Sequence, residues 1–260
     1  MNYQTLQVRF QEPICFVRLH RPQANNTINR VLLEECADVL SHCEESTTII
    51  VLEGTPEVFC FGADFEEIRA KHASDQQQEQ QAELLYDLYW RLATGPYITI
   101  SHVRGKANAG GVGFVAASDI VLADPTAQFS LSELLFGLFP ACVLPFLIRR
   151  IGLQKAHYMS LMTQPIAIQQ AHAWGLVDEY AEASESLLRK HLLRLRHLSK
   201  TSIARYKRYM QELDAGQGRC SFLQDARPLA IEANKKMFTD PDNLKGIVRF
   251  VEEGIFPWQR

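Results

Sequence analysis

Apolar runs of strand length alternate with helix-length segments through the first half of the chain, and this alternation limits the possible folds more than any other feature. Thr5–Phe10 and Ile14–Leu19 read as a hairpin, and Thr48–Leu52 (TIIVL) as a buried strand ended by Gly54. Between them, Arg30–Cys43 carries helical periodicity through Leu32, Leu33, Cys36, Val39 and Leu40. Further strands are expected at Tyr97–Val103 and Ile120–Ala123. Strands separated by helices need crossover connections, so the pattern predicts an α/β fold on a mainly parallel sheet. From about Ile166 onward the pattern is helical throughout, which predicts a core over residues 1–165 and a helical region over 166–260. Ala70–Gln81 (AKHASDQQQEQQ) is polar and Gln-rich, and predicts an exposed loop or frayed helix, mobile over a site mouth.

At 260 residues the chain is long for one typical domain and short for two, which favours one compact unit with a helical appendage. Hydrophobic residues make up 47% and charged residues 22%, an ordinary globular balance. A net charge of −3 argues against a dedicated nucleic-acid binder. No apolar run is long enough to span a membrane. The N-terminus, MNYQTLQVRFQEP, lacks the basic and apolar regions of a signal peptide, so a soluble, cytoplasmic protein is expected. Cys15, Cys36, Cys43, Cys60, Cys142 and Cys220 show no C-x-x-C spacing and read as reduced core thiols, not zinc ligands or disulfides. His20, His102, His157, His172 and His191 have no metal spacing either, so no metal site is expected.

Two glycine-bearing segments stand at strand-to-helix turns. One is Val58-Phe59-Cys60-Phe61-Gly62-Ala63-Asp64-Phe65; the other runs from Val103 through Gly105, Gly110, Gly111 and Gly113 into a small-residue helix at Val115–Ser118. Glycine permits backbone that other residues avoid and lets a ligand approach closely, and a helix N-terminus offers free N–H groups. Two such turns facing each other can bind one carbonyl oxygen and the enolate formed from it; a tight turn packing helix on sheet is the structural alternative. No Lys-Ser/Thr follows Gly113 and the G-x-G-x-x-G spacing is absent, so a nucleotide site is a poor fit.

F-x-x-G-A-D at Phe59–Asp64, followed by an acidic helix, and G-x-A-x-x-G-G-x-x-x-x-A-x-x-x-D-I from Gly105 resemble the two signature blocks of the enoyl-CoA hydratase (crotonase) family. His20–Asn29 (HRPQANNTIN) is similar to the family's N-R-P-x-x-x-N-A-L segment, Phe129–Gly137 to its F-x-x-P-E-x-x-x-G block, and Ala171–Asp178 to its A-x-x-x-G-L-V-D. The resemblance implies a crotonase-like ββα spiral core with a C-terminal helical trimerisation region, forming a trimer or a dimer of trimers. It implies that Ala63 and Gly110 supply oxyanion N–H groups, that Glu133 moves the α-proton, and that Gln23, Asn25, Phe61, Asp64 and Phe65 contact substrate. The family's second catalytic glutamate falls on Gly113, so hydration by two carboxylates is excluded. Asp64 falls on a commonly acidic position, where helix capping or a salt bridge is the alternative to catalysis. Phe61 stands where the family has a small residue.

The blocks NNTIN, VFCFGADF, RGKANAGGVGFV and SLSELLFGLFPACVLPFLIRRIG resemble the β-branching dehydratases of polyketide synthase clusters. That resemblance implies loss of water from a 3-hydroxy-3-methylglutaryl group on the phosphopantetheine of an acyl carrier protein, with no other cofactor. A decarboxylase of the same cassette and a non-catalytic carrier-binding homologue are the alternatives. The basic stretch Arg189–Arg208, with Arg149-Arg150 as a second candidate, is either a solvated helix face or a docking patch for an acidic carrier protein. Cys142 is expected in a pocket wall, not as a nucleophile.

Overall fold

A computed structural model describes residues 2–70, 75–215 and 221–259. Strands β1 (Leu6–Gln11) and β2 (Ile14–Leu19) form the expected hairpin, with Leu6 opposite Leu19 and Gln11 opposite Ile14. Helix α1 (Arg30–Ser46) starts where the Asn29 side chain accepts from the Leu32 N–H, and it buries Leu32, Leu33, Cys36, Val39, Leu40 and Cys43, the stripe anticipated from periodicity. Then follow β3 (Ile49–Glu53), β4 (Val58–Cys60), α2 (Phe65–Ala70) and α3 (Asp75–Thr94). The next units are β5 (Ile98–Val103), β6 (Lys106–Asn108), α4 (Gly110–Ala117), β7 (Ile120–Ala123) and β8 (Gln128–Ser130). Helices α5 (Leu144–Ile151) and α6 (Leu153–Met162), strand β9 (Ile166–Ala167), helix α7 (Ile168–Ala173) and strand β10 (Glu179–Tyr180) lead to the last four helices. These are α8 (Ser184–Leu195), α9 (Lys200–Ala215), α10 (Phe222–Thr239) and α11 (Pro241–Glu253).

After the β1-β2 hairpin, successive β-β-α units beginning with β3-β4 place one strand in each of two sheets, as the ββα spiral requires. The larger sheet has the order β1-β2-β3-β5-β7-β10, parallel apart from the hairpin; the smaller has the order β4-β6-β8-β9. Alternate residues of β3 face opposite ways. Ile50 and Leu52 enter the main core under α1 and α4, whereas Ile49 and Val51 meet Leu188 of α8 on the other face. A third apolar cluster joins Phe136 and Leu138 to Met237 of α10 and Ile247 of α11, so the last helices close over the segment that follows Glu133.

The structure departs from the sequence reading in three places. Residues 75–81 of the Gln-rich stretch take the helical alternative as the first turns of α3, but they are not exposed throughout: Gln78 is buried, because polar side chains on the inner face meet a cavity instead of a packed core. Residues 71–74 of that stretch lie outside the described residues. The tail is not helical throughout, because β9 pairs with β8 and β10 with β7; two-residue strands carry no periodicity of their own. The basic stretch is broken between α8 and α9, and two of its lysines point inward. Lys207 donates to Asp119 at 2.7 Å and to the Tyr97 carbonyl at 3.0 Å, while Lys200 donates to the Cys43 and Thr47 carbonyls. Among the described cysteines, Cys15, Cys36, Cys43, Cys60 and Cys142 are buried free thiols; Cys220 lies outside the described residues. His102 is structural, bridging Glu53 and Ser184 at 3.0 Å each beneath α8.

Candidate active site

β4 runs through Gly62, at φ +88°, into Ala63. A Cβ at Gly62 would lie 2.6 Å from the Ala109 Cβ, so only glycine lets this turn press against the turn that opens α4. Ile28 pins the segment from both sides: its N–H donates to the Gly62 carbonyl at 2.7 Å, and its carbonyl accepts from the Asp64 N–H at 3.0 Å. The Ala63 N–H lies between these two bonds and has no acceptor among the described residues. On the facing turn, Ala109 holds φ 50° and ψ −121°, and its N–H donates to the Ser130 carbonyl at 2.9 Å. A non-glycine residue there costs about 1–3 kcal/mol of backbone strain, a cost concentrated at functional sites. Gly110 follows as the first residue of α4, and its N–H too has no acceptor among the described residues. Ala63 and Gly110 both line one cavity of about 750 Å³. Two preset donors on facing turns, one of them at the N-terminus of α4, can hold one developing oxyanion.

Glu133 opens a 3-10 turn, Glu133–Phe136, on the same wall. Its Oε2 is buried with no hydrogen-bond partner among the described residues. Burial pushes its carboxyl from 4.5 up to about 7, against the pull of the backbone N–H groups of Glu133 and Ser132. A carboxylate poised near neutrality is suited to taking a proton and giving it back.

The position of the missing second glutamate is filled. A Cβ at Gly113 would lie 2.4 Å from Cζ and 2.6 Å from the hydroxyl of Tyr89. Tyr89 is fully buried, packs edge-on to Phe114 and Phe146, and donates to the Gly110 carbonyl at 2.6 Å. Burial raises its phenol well above the ordinary tyrosine value, so it stays a neutral donor.

Gln23, Asn25, Phe61, Asp64 and Phe65 all line the cavity. Asn25 takes the left-handed conformation at φ 49°, and Phe61 is 40% exposed. Phe65 belongs to an aromatic wall, edge-on to Phe136 at 5.0 Å and to Phe250 at 6.5 Å. Asp64 accepts from Arg21 at 2.7 Å and from the Glu67 N–H of α2 at 3.1 Å, the ion-pair and capping role. Cys142 lies in the wall with its thiol toward the Ala82 and Ala230 carbonyls; burial pushes its pKa up to about 12, which leaves no thiolate for attack.

The sequence reading missed Asn108, Ser130 and Ser132 in this wall, together with Gln78, Gln81 and Asn234. The first three sit inside recognisable blocks, Asn108 and Ser130 at positions whose side chains no motif specifies and Ser132 where the F-x-x-P-E block has proline. Neither expected docking row borders the cavity: no Lys, Arg or His stands among its described lining residues. Arg189 and Arg196 border a separate groove between the hairpin and α8, and Arg150 is held by Asp178 at 2.7 Å.

The profile of a family described as enoyl-CoA hydratase/isomerase matches residues 9–260. The bacillaene synthase dehydratase PksH of Bacillus subtilis is 60% identical over 260 residues, covering 100% of this chain and 98% of that protein. The crystal structure of pksH from Bacillus subtilis superposes with a TM-score of 0.91 at 59% identity, covering 98% of this chain and 100% of that one. An enoyl-CoA hydratase/isomerase from Xanthobacter autotrophicus Py2 shares the fold, with a TM-score of 0.85 at 21% identity over 97% of this chain and 95% of that one.

Proposed function

We propose that this chain, which belongs to the enoyl-CoA hydratase/isomerase family, is a dehydratase that removes water from a 3-hydroxy-3-methylglutaryl thioester on an acyl carrier protein, giving the 3-methylglutaconyl thioester. One observation carries the reading: Glu133, whose Oε2 is buried with no partner among the described residues, shares a cavity with the N–H groups of Ala63 and Gly110, which have no acceptor there, while the other buried carboxylate of that wall, Asp64, is held by Arg21. A thioester α-proton is too weakly acidic for an unaided carboxylate. The two N–H groups therefore bind the carbonyl oxygen and stabilise the enolate as Glu133 takes the proton. When the carbonyl re-forms, the electron pair makes the Cα=Cβ bond and the Cβ–O bond breaks. Glu133 returns its proton to the departing oxygen, and water leaves from the face on which the α-proton was taken. Tyr89 occupies the space a second carboxylate would need, which supports one residue serving both steps.

Gln23, Asn25, Phe61 and Phe65 serve as substrate contacts, and Asp64 acts through the turn it holds. The substrate arrives on the carrier's phosphopantetheine, and the scheme needs no other cofactor. Similarity to a dehydratase of a polyketide synthase supports a carrier-bound substrate, and the cavity falls within the range that encloses ligands of moderate size. No described helix is long and apolar enough to cross a membrane, in keeping with work in the cytoplasm. A decarboxylase would need no α-proton base, and a non-catalytic binder would have no use for a carboxyl tuned to about 7. Incubation with 3-hydroxy-3-methylglutaryl carrier protein, followed by weighing the product, separates the three: loss of water upholds the proposal, while loss of carbon dioxide or no change rejects it.

A further inference from the structure

Three neutral side chains on the cavity wall form one hydrogen-bonded row. The Ser130 hydroxyl donates to Asn108 Oδ1 at 2.7 Å, and Asn108 Nδ2 donates to Ser132 Oγ at 2.9 Å. Asn108 is buried and belongs to β6, two residues before Gly110; Ser130 ends β8, and Ser132 directly precedes Glu133. The row therefore connects the strand that delivers an oxyanion donor to the turn that delivers the base. Its bonds share one sense. Each group that accepts has a proton left to pass on, and the last one, the Ser132 O–H, has no acceptor among the described residues. All three residues line the cavity, and beside Ser132 the buried Glu133 Oε2 has no partner either. A polarised hydroxyl and an unsatisfied carboxylate oxygen, adjacent on one wall, call for a ligand that accepts from one and exchanges a proton with the other.

We infer that Ser132 is a further catalytic residue of the dehydration, its hydroxyl donating a hydrogen bond to the β-oxygen that leaves, with Asn108 and Ser130 as the positioning residues that aim it. This rests on the dehydratase reading. The Ser132 proton stays on serine throughout. As the Cβ–O bond breaks, that oxygen gains the electron pair, and Glu133 supplies the proton that makes it water. Ser132 lowers the barrier by meeting the negative charge before the proton arrives. The contribution belongs to bond cleavage alone, because the α-carbon and the thioester oxygen are served by Glu133, Ala63 and Gly110.

The test uses two carrier-bound substrates. With the 3-hydroxy-3-methylglutaryl thioester, dehydration is followed by mass. With the 3-methylglutaryl thioester, which has no β-hydroxyl, exchange of the α-proton in deuterium oxide is followed the same way. Ser132→Ala is expected to slow dehydration about 10²-fold, as for loss of one donor to a developing oxyanion, and to leave exchange at the parental rate. Asn108→Ala is expected to give a smaller loss of the same kind, and Ser132→Thr, which keeps the hydroxyl, to recover most of the rate. Equal losses in both assays from Ser132→Ala would reduce the residue to a structural role, and parental dehydration would remove it from the mechanism. A parent protein that neither dehydrates nor exchanges defeats the dehydratase reading, and this inference with it.

Discussion

Glu133 must be ionised to take a proton from carbon, and its raised pKa leaves ionisation incomplete at neutral pH. kcat/KM should therefore climb about tenfold per pH unit below about 7 and level off above it. A profile already flat between about pH 5 and 8 would show that the base titrates elsewhere. The same burial affects stability with a definite sign. A carboxyl whose folded pKa exceeds its unfolded value binds more protons when folded, so stability falls as pH rises from 4.5 through about 7. Above that range the full cost, about 3 kcal/mol at 1.36 kcal/mol per unit, is present. Glu133→Gln should lower turnover by about 10²–10⁴, the usual contribution of an acid–base group, yet melt higher than the parent near pH 8. A Gln variant that is less stable there, or that turns over within about tenfold of the parent, would contradict this account. Asp64 should behave in the opposite way. Its carboxylate serves Arg21 and the Glu67 N–H of α2, so Asp64→Asn should keep appreciable turnover while losing about 1–3 kcal/mol of stability.

At the level of elements, the site depends on what two turns allow. Gly110 is the first residue of α4, a position that accepts proline, and a proline there removes the N–H assigned to the oxyanion without breaking an intrahelical bond. Gly110→Pro should cost about 10²–10³ in kcat, whereas Gly110→Ala, whose Cβ would meet the same Ile28 Cδ1 at 2.7 Å and Tyr89 hydroxyl at 3.3 Å, keeps the N–H and should lose less. A folded, fully active proline variant would disprove the assignment. Helix α4 is also fixed from behind. At Gly113 even an alanine Cβ would press on the Tyr89 ring, which Phe114 and Phe146 prevent from moving aside. Gly113→Ala should cost about 1–3 kcal/mol by overpacking, and less in a Tyr89→Leu background; equal costs in both backgrounds would show that the ring is not the obstacle. The two turns were legible because glycine at a strand-to-helix junction and a run of small residues leave a mark in sequence. The empty place at Gly113 was legible too, as an absent glutamate. Its occupant was not, since Tyr89 lies 24 positions earlier in a helix that opens with a glutamine run, and only folding brings them together. Asn108 escaped notice for the related reason that a polar residue at an unspecified position of a motif looks the same whether it binds substrate or faces water, and Ser132 because a serine in the proline position of F-x-x-P-E names no role by itself.

Across the described residues, exposed apolar side chains line up along two helices in particular. On α9, Tyr206, Tyr209, Met210 and Leu213 fall at helical spacing on one stripe; on α6, Tyr158, Leu161 and Met162 form another, and all seven are between 42% and 62% exposed. Apolar stripes of this kind mark interaction surfaces. Their number matters for symmetry. A two-fold dimer joins a patch to its own copy, whereas a closed ring joins one patch to a different patch on the next subunit. Two distinct stripes fit the ring, which supports the proposed trimer, alone or paired as a dimer of trimers. Light scattering at micromolar concentration should give three or six times the chain mass, and a monomer would reject the assembly. Leu213→Lys and Leu161→Lys, made separately, should each release monomers, since each spoils one side of every contact. Mixed together, the two variants retain a single intact pairing, the α6 stripe of the first with the α9 stripe of the second. The mixture should therefore form a one-to-one dimer that cannot close. If either variant alone stays trimeric, its stripe is not at the interface; if the mixture stays monomeric, the two stripes are not partners.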